Sequence, residues 1–206
     1  MTARRGVLAG VLALAGCGVI NQDYVEPRRY ALSPDRPPGA AARPGRGPRR
    51  TLLLRLSRAA PGLDTRYLRF LRADGTIRVE TYAEWTAPPA EAAEDALRRW
   101  LMASGLFAGV LAPGTRADAD LTLETELTAL HVDEGRGVAR AAMSGVLLAT
   151  TSQFGTRVAG QFVRDATVPV PGGVAAGRAP DAAAAAMVQA LAAVLALIES
   201  DLARNA

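Results

Sequence analysis

The stretch DLTLETELTAL, residues 120–130, reads strictly in twos. Successive side chains of a β-strand point to opposite faces, so the pattern predicts a strand with Leu121, Leu123, Thr125, Leu127 and Ala129 inward. Asp120, Thr122, Glu124, Glu126 and Thr128 then face water. Two more long strands are expected at 138–151 and 156–168, joined near Gln153-Phe154-Gly155. Strands that follow one another directly, with no Gly-rich phosphate loop after any of them, argue against a doubly wound nucleotide-binding fold.

Working upstream, TLLLRLS (51–57) is a continuous apolar run of strand length, as for a strand covered on both faces. Arg66–Arg72 and Thr76–Tyr82 form a hairpin around Ala73-Asp74-Gly75, because Asp-Gly supplies the positive φ of a tight turn. Pro88-Pro89 then opens a helix over 90–104. Its inner face is Ala93, Leu97, Trp100, Leu101 and Ser104, and Glu94–Arg98 and Asp95–Arg99 are expected ion pairs on its outer side. Gly105 closes it. Downstream, a last helix starts near Pro180 with Met187, Leu191, Val194, Leu195, Ile198 and Leu202 as its apolar stripe. These elements predict an α+β two-layer sandwich: about six strands, mostly antiparallel or mixed, with two helices packed on one face.

Composition narrows the function classes. The chain has 206 residues, half of them hydrophobic and 21% charged, enough for one core and too apolar for disorder throughout. One Cys and one His exclude a disulfide framework and most Cys- or His-ligated metals. All 24 basic residues are Arg, against 20 acids. Without Arg4 and Arg5, which sit in a segment expected to be removed, 22 against 20 leaves a net charge of +2. That is not the balance of a nucleic-acid-binding domain.

The segment in question is the N-terminus. Met1–Arg5 is a short basic region and Gly6–Ala15 an apolar run of about ten residues, too short to span a bilayer core of about 30 Å. It ends in Leu14-Ala15-Gly16-Cys17, which resembles the lipobox of bacterial lipoproteins, where small residues precede a Cys that is acylated before cleavage. Residues 1–16 are then a lipoprotein signal peptide and Cys17 the lipidation site. Each buried CH₂ contributes about 0.8 kcal/mol, so acyl chains such as palmitate on Cys17 tether the protein without a spanning helix. Gly18, in place of the Asp that retains lipoproteins at the inner membrane, implies the outer membrane. Residues 17–50 read as a tether, whose Arg/Pro-rich part at 33–50 reaches on the order of 55 Å when extended. Within it Tyr30-Ala31-Leu32 is an apolar island suited to docking on the domain or adding an edge strand. The folded domain is expected at 51–206.

Few residues in the chain carry catalytic chemistry. His131, beside Asp133 and Glu134, reads either as a base oriented by a carboxylate or as a surface His at a turn. Ser144 and Ser152 lack a nucleophile-elbow context. Asp118 and Asp120 are too few oxygen ligands for a cation. Trp85 and Tyr82 are the candidates for a partner or lipid contact, against core packing for Trp85. No catalytic set, metal site or cofactor is expected, and the chain reads as a binding or scaffolding protein.

The order of short motifs carries a resemblance. Cys17, Tyr30-x-Leu32, Pro61-Gly62-Leu63-Asp64-Thr65-Arg66, Tyr82-x-x-Trp85-x-x-Pro88, Ser104-Gly105 and Ala119-Asp120-Leu121 follow one another as in the PqiC-like family, which this chain resembles. These are auxiliary lipoprotein components of ABC-type transporters. Thr86-Ala87, where an acidic residue is expected, and the long Arg/Pro linker depart from the pattern. The resemblance implies a non-catalytic outer-membrane subunit of an intermembrane lipid transport system. Its implied partner is an MCE-domain protein and, through it, an ABC permease and ATPase. Phospholipid and a second copy of the chain stand open as further partners. A rival reading is a regulatory lipoprotein that reaches through the periplasm to activate a cell-wall synthase, and a degenerate hydrolase centred on His131 is a third.

Overall fold

The computed structural model describes residues 24–37, 49–55, 57–151, 155–172 and 179–204. Within them lie strands β1 (Arg28–Tyr30), β2 (Thr51–Leu54), β3 (Arg58–Ala59), β4 (Tyr67–Leu71), β5 (Ile77–Trp85), β6 (Gly109–Leu111), β7 (Leu121–Asp133), β8 (Val138–Thr151) and β9 (Gly155–Pro169), with helices α1 (Pro89–Ser104) and α2 (Pro180–Leu202). Both helices pack on β7, giving the expected α+β sandwich. β7, β8 and β9 form an antiparallel meander. The other edge of β7 is shared by β2, β3 and β4, all parallel to it. Beyond them β6 extends β2, while β5 and then β1 extend β4, so the sheet forks.

The sheet has nine strands where about six were expected. The additional ones, β1, β3 and β6, are two or three residues long, too short for any period to register. The TLLLRLS run also divides: strand pairing stops at Leu54 and resumes at Arg58. The break is held in place by Ser57, whose N–H donates to Glu94 Oε2 at 2.6 Å and whose hydroxyl meets Thr125 Oγ1 at 2.5 Å. Glu94 is thus committed to this loop, and the expected Glu94–Arg98 pair is replaced by Arg98 with Asp95.

β7 keeps its alternation only to Leu127. A bulge between Leu127 and Ala129 shifts the phase, so Leu130 and Val132 face the core and Ala129 the opposite side. The core face gathers Leu121, Leu123, Leu127, Leu130 and Val132 from β7 with Leu97, Trp100 and Leu101 from α1 and Met187, Leu191, Val194 and Ile198 from α2. Helix α1 begins at Pro89 and is closed by Gly105 in the left-handed region, φ 68°. Ala183, Ala184, Ala186 and Ala190 let α2 lie close on β8 and β9. By length and hydropathy α2 qualifies as a spanning helix, yet it is packed on the sheet and carries the buried acids Glu199 and Asp201. On the same face, Phe162 lies against Gly145: a Cβ built there would sit 2.3 Å from the ring.

The folded unit starts well before Thr51. β1 pairs parallel with β5, and Leu32 and Pro34 are buried beyond it. Arg28 and Tyr30 both bond Asp181 at the start of α2, at 2.7 and 2.6 Å. The chain then crosses from α1, where Arg99 donates to Ser33 Oγ, to α2, where Arg36 Nε and Nη2 donate to the two oxygens of Glu199 at 2.9 and 2.7 Å. Trp100 Nε1 donates to the same carboxylate at 2.6 Å. Residues 28–37 are therefore a strap sewn across the helix layer rather than part of a free tether. The expected 17–50 tether is correspondingly shortened, because Leu32 finds a core and Arg36 a buried acid. Residues 38–48 lie outside the described residues and connect two fixed ends.

Two expectations follow. Burial alone would raise the Glu199 carboxyl, but the Arg36 and Trp100 hydrogen bonds outweigh it and hold it below its ordinary value. Stability from a depressed carboxyl is present above its unfolded value, about 4.3, and is lost as pH falls through the lower folded value. Glu199→Gln should cost about 1–3 kcal/mol in urea unfolding at pH 7, with the penalty narrowing toward pH 3; an equal penalty at both would contradict it. Gly145→Ala should cost about 1–3 kcal/mol by overpacking against Phe162, and Gly145→Ala with Phe162→Leu should recover part of it.

Candidate functional site

With the helices on one face, the residues pointing the other way from β7, β8 and β9 form the open face of the sheet. Across it Glu126 meets Ser144 and Ser144 meets Val163, while Glu124 meets Val146 and Val146 meets Gln161. The β2–β3 break sets Arg55 and Arg58 along the margin of this face. The result is a groove of about 490 Å³ lined chiefly by Arg55, Arg58, Glu124, Glu126, Val146 and Gln161. Arg55 Nη1 stands 3.1 Å from Glu124 Oε1, and both side chains are largely in solvent. Such a pair is worth at most about 1 kcal/mol, so a partner's charges or amides can displace it at little cost. The groove offers facing guanidinium and carboxylate groups with an amide and a short apolar floor. That chemistry suits recognition of a polar surface.

His131 sits inside β7 rather than at a turn, facing Arg140 across the β7–β8 ladder. Arg140 is itself paired with Asp165 at 2.6 Å. Burial first, and the Arg140 charge second, push the imidazole below its ordinary value. Ser144 stands four residues along β8 from Arg140, about 13 Å by strand rise, so His131 and Ser144 cannot form a nucleophile–base pair. Asp120 Oδ2 accepts the Thr51 N–H at 2.8 Å. Ser152 lies outside the described residues, as does Cys17.

The two aromatic candidates part company. Trp85 is 1% exposed, ends β5, and donates its backbone N–H to the Arg66 carbonyl at 2.7 Å. A partner or lipid cannot touch it in this fold: the turn into α1 and the pairing of Tyr30 with Trp85 wall it in. Tyr82 is 51% exposed on the same strand, with Val79 and Ile77 also exposed further up it. Reading the sequence alone misses the groove, because Arg55 falls in a run taken as covered on both faces. The usable signal was the charge breaking that run.

The sequence pattern of the family described as "ABC-type transport auxiliary lipoprotein component" matches residues 30–203. The match opens at Tyr30, in β1, and so takes in the strap. No curated protein matches the chain. Among solved structures, the chain is similar to protein XCC0632 from Xanthomonas campestris, at 22% identity and a TM-score of 0.66, over 86% of this chain and 99% of that one. It is also similar to an uncharacterised protein at 15% identity and a TM-score of 0.59, over 87% and 98%. These likenesses concern the fold. The match to the family pattern spans nearly the whole described unit, and the chain belongs to the ABC-type transport auxiliary lipoprotein component family.

Proposed function

We propose that this protein is a non-catalytic, outer-membrane lipoprotein subunit of an ABC-type lipid transport system, anchored through Cys17 and docking the periplasmic MCE-domain component. The observation that carries the reading is the family match over residues 30–203, with Leu14-Ala15-Gly16-Cys17 shortly upstream. The permease and ATPase supply the energy, and this subunit supplies a fixed receiving surface at the membrane. The open-face groove beside Arg55 and Arg58 is the docking surface.

The shortened tether favours this reading over activation of a cell-wall synthase. Reaching through the periplasm needs a long leash, but with the strap fastened only eleven Cα steps separate Cys17 from Arg28, about 40 Å at full extension. That length holds a domain close to its membrane.

Mild-detergent capture of the tagged full-length protein from its own envelope should recover an MCE-domain protein and its ATPase. A cell-wall synthase recovered without transporter subunits would contradict the proposal. Arg55→Glu with Arg58→Glu should lower recovery of the MCE component by about tenfold while leaving the circular dichroism spectrum unchanged; undiminished recovery would move docking off the groove. Cys17→Ser should shift the protein from the membrane to the soluble periplasmic fraction.

A further inference from the structure

Ten large apolar or aromatic side chains are exposed among the described residues, and six of them belong to one corner of the sheet: Tyr24, Val25, Tyr67, Ile77, Val79 and Tyr82. The register explains how four of these come together. Leu68 and Phe70 of β4 are buried, so Tyr67, Arg69 and Leu71 face outward. Val79 stands opposite Arg69 and Ile77 opposite Leu71. Tyr82 is exposed further along β5. Tyr24 and Val25 join them through β1, which pairs parallel with β5 from Arg28 opposite Ala83. That direction points the upstream chain back along β5, toward the Asp74–Gly75 turn.

The same upstream chain leads to Cys17. Seven Cα steps separate Cys17 from Tyr24, about 25 Å at full extension. From Arg28 on there is no slack, because Arg29 pairs with Glu84 at 2.9 Å and Arg28 with Asp181 at 2.7 Å. The corner is thus the part of the described fold leashed most closely to the anchor. Three of the four tyrosines in the chain are exposed there. A tyrosine ring buries an apolar body and keeps its hydroxyl wet, the combination that favours the head-group region of a bilayer.

We propose that the β1–β5–β4 corner is a membrane-seating surface, with these six side chains resting in the head-group region of the leaflet that holds the Cys17 acyl chains. The proposal rests on the lipid anchor assigned to Cys17 above. Seating orients the domain and presents the open-face groove in one direction. Across the β4–β5 hairpin Asp74, Glu80 and Glu84 balance Arg69, Arg72 and Arg78, so the corner is close to neutral and seats by apolar burial rather than by charge.

The test uses the full-length acylated protein in vesicles of phosphatidylethanolamine and phosphatidylglycerol, its acylation confirmed by mass spectrometry. With Cys17 blocked by its thioether, Val79→Cys, Ile77→Cys and, on the distant strand β9, Val163→Cys each offer one site for an environment-sensitive fluorophore. Lipids carrying a shallow spin label should quench the probes at Val79 and Ile77 at least about threefold more than the probe at Val163. The difference should survive raising the salt to 0.5 M, since roughly 4 Å of Debye screening does not touch apolar contact. Acylated protein with no excess quenching at Val79 and Ile77 overturns the seating and leaves the anchor standing. Cross-linking between copies through Val79→Cys without lipid quenching assigns the corner to a second copy and also overturns it. Absence of acylation on Cys17 removes the anchor and the seating together.

Discussion

Everything in this fold is referred to β7. A thirteen-residue strand has two long rows of backbone donors and acceptors, and burying it beneath two helices requires both rows to be filled. β8 fills one row along nearly its whole length. The other row is filled piecemeal by β2, β3 and β4, which accounts for the parallel pairing, the break between β2 and β3 and the forked sheet. That break is where Arg55 and Arg58 come to border the open face, so the groove is a by-product of how one edge is covered. The bulge after Leu127 belongs to the same constraint. It re-aims Leu130 and Val132 into the core and leaves His131 on the open side, tied into a ladder of charges instead of a catalytic pair.

The second organising feature is the strap. Glu199 is buried at the seam of the two helices, where an unpaired carboxylate would be costly. Arg36 from the strap and Trp100 from α1 satisfy it together. The N-terminal segment is thereby part of the core's electrostatics, and the family pattern beginning at Tyr30 agrees with that boundary. Fastening the strap converts a long tether into a short one, which changes the kind of work a lipid-anchored domain can do. With the proposed anchor at Cys17, a short leash would set position and orientation at a membrane, as the proposed receiving role requires.

Much of this was legible in the residues. The three long strands, the Asp-Gly hairpin, the Pro-initiated helix ending at Gly105 and the apolar stripe of α2 all announce themselves through period and turn chemistry. What was not legible depends on distant partners. Strands of two or three residues carry no period, and β1 and β3 exist only because a neighbouring edge is open. Tyr30-Ala31-Leu32 was readable as an island that docks or adds an edge strand, and it does both, but from Ser33 on the prolines look like linker, and Arg36 meets its acid 163 positions away. Trp85 is legible as an aromatic ahead of a helix, but whether it faces core or solvent is decided by Tyr30 and Arg66, which no local pattern reports. Tyr82 kept its exposure because the β4–β5 register is irregular across Leu68.

Neutron reflectometry of the full-length lipoprotein on a supported bilayer tests the short leash most directly. The account predicts that any water layer between the head groups and the protein density is no thicker than about 40 Å, the reach of the eleven Cα steps from Cys17 to Arg28. A hydrated gap well beyond that, toward the roughly 100 Å that a free tether of residues 17–50 spans at about 3 Å per residue, would contradict it.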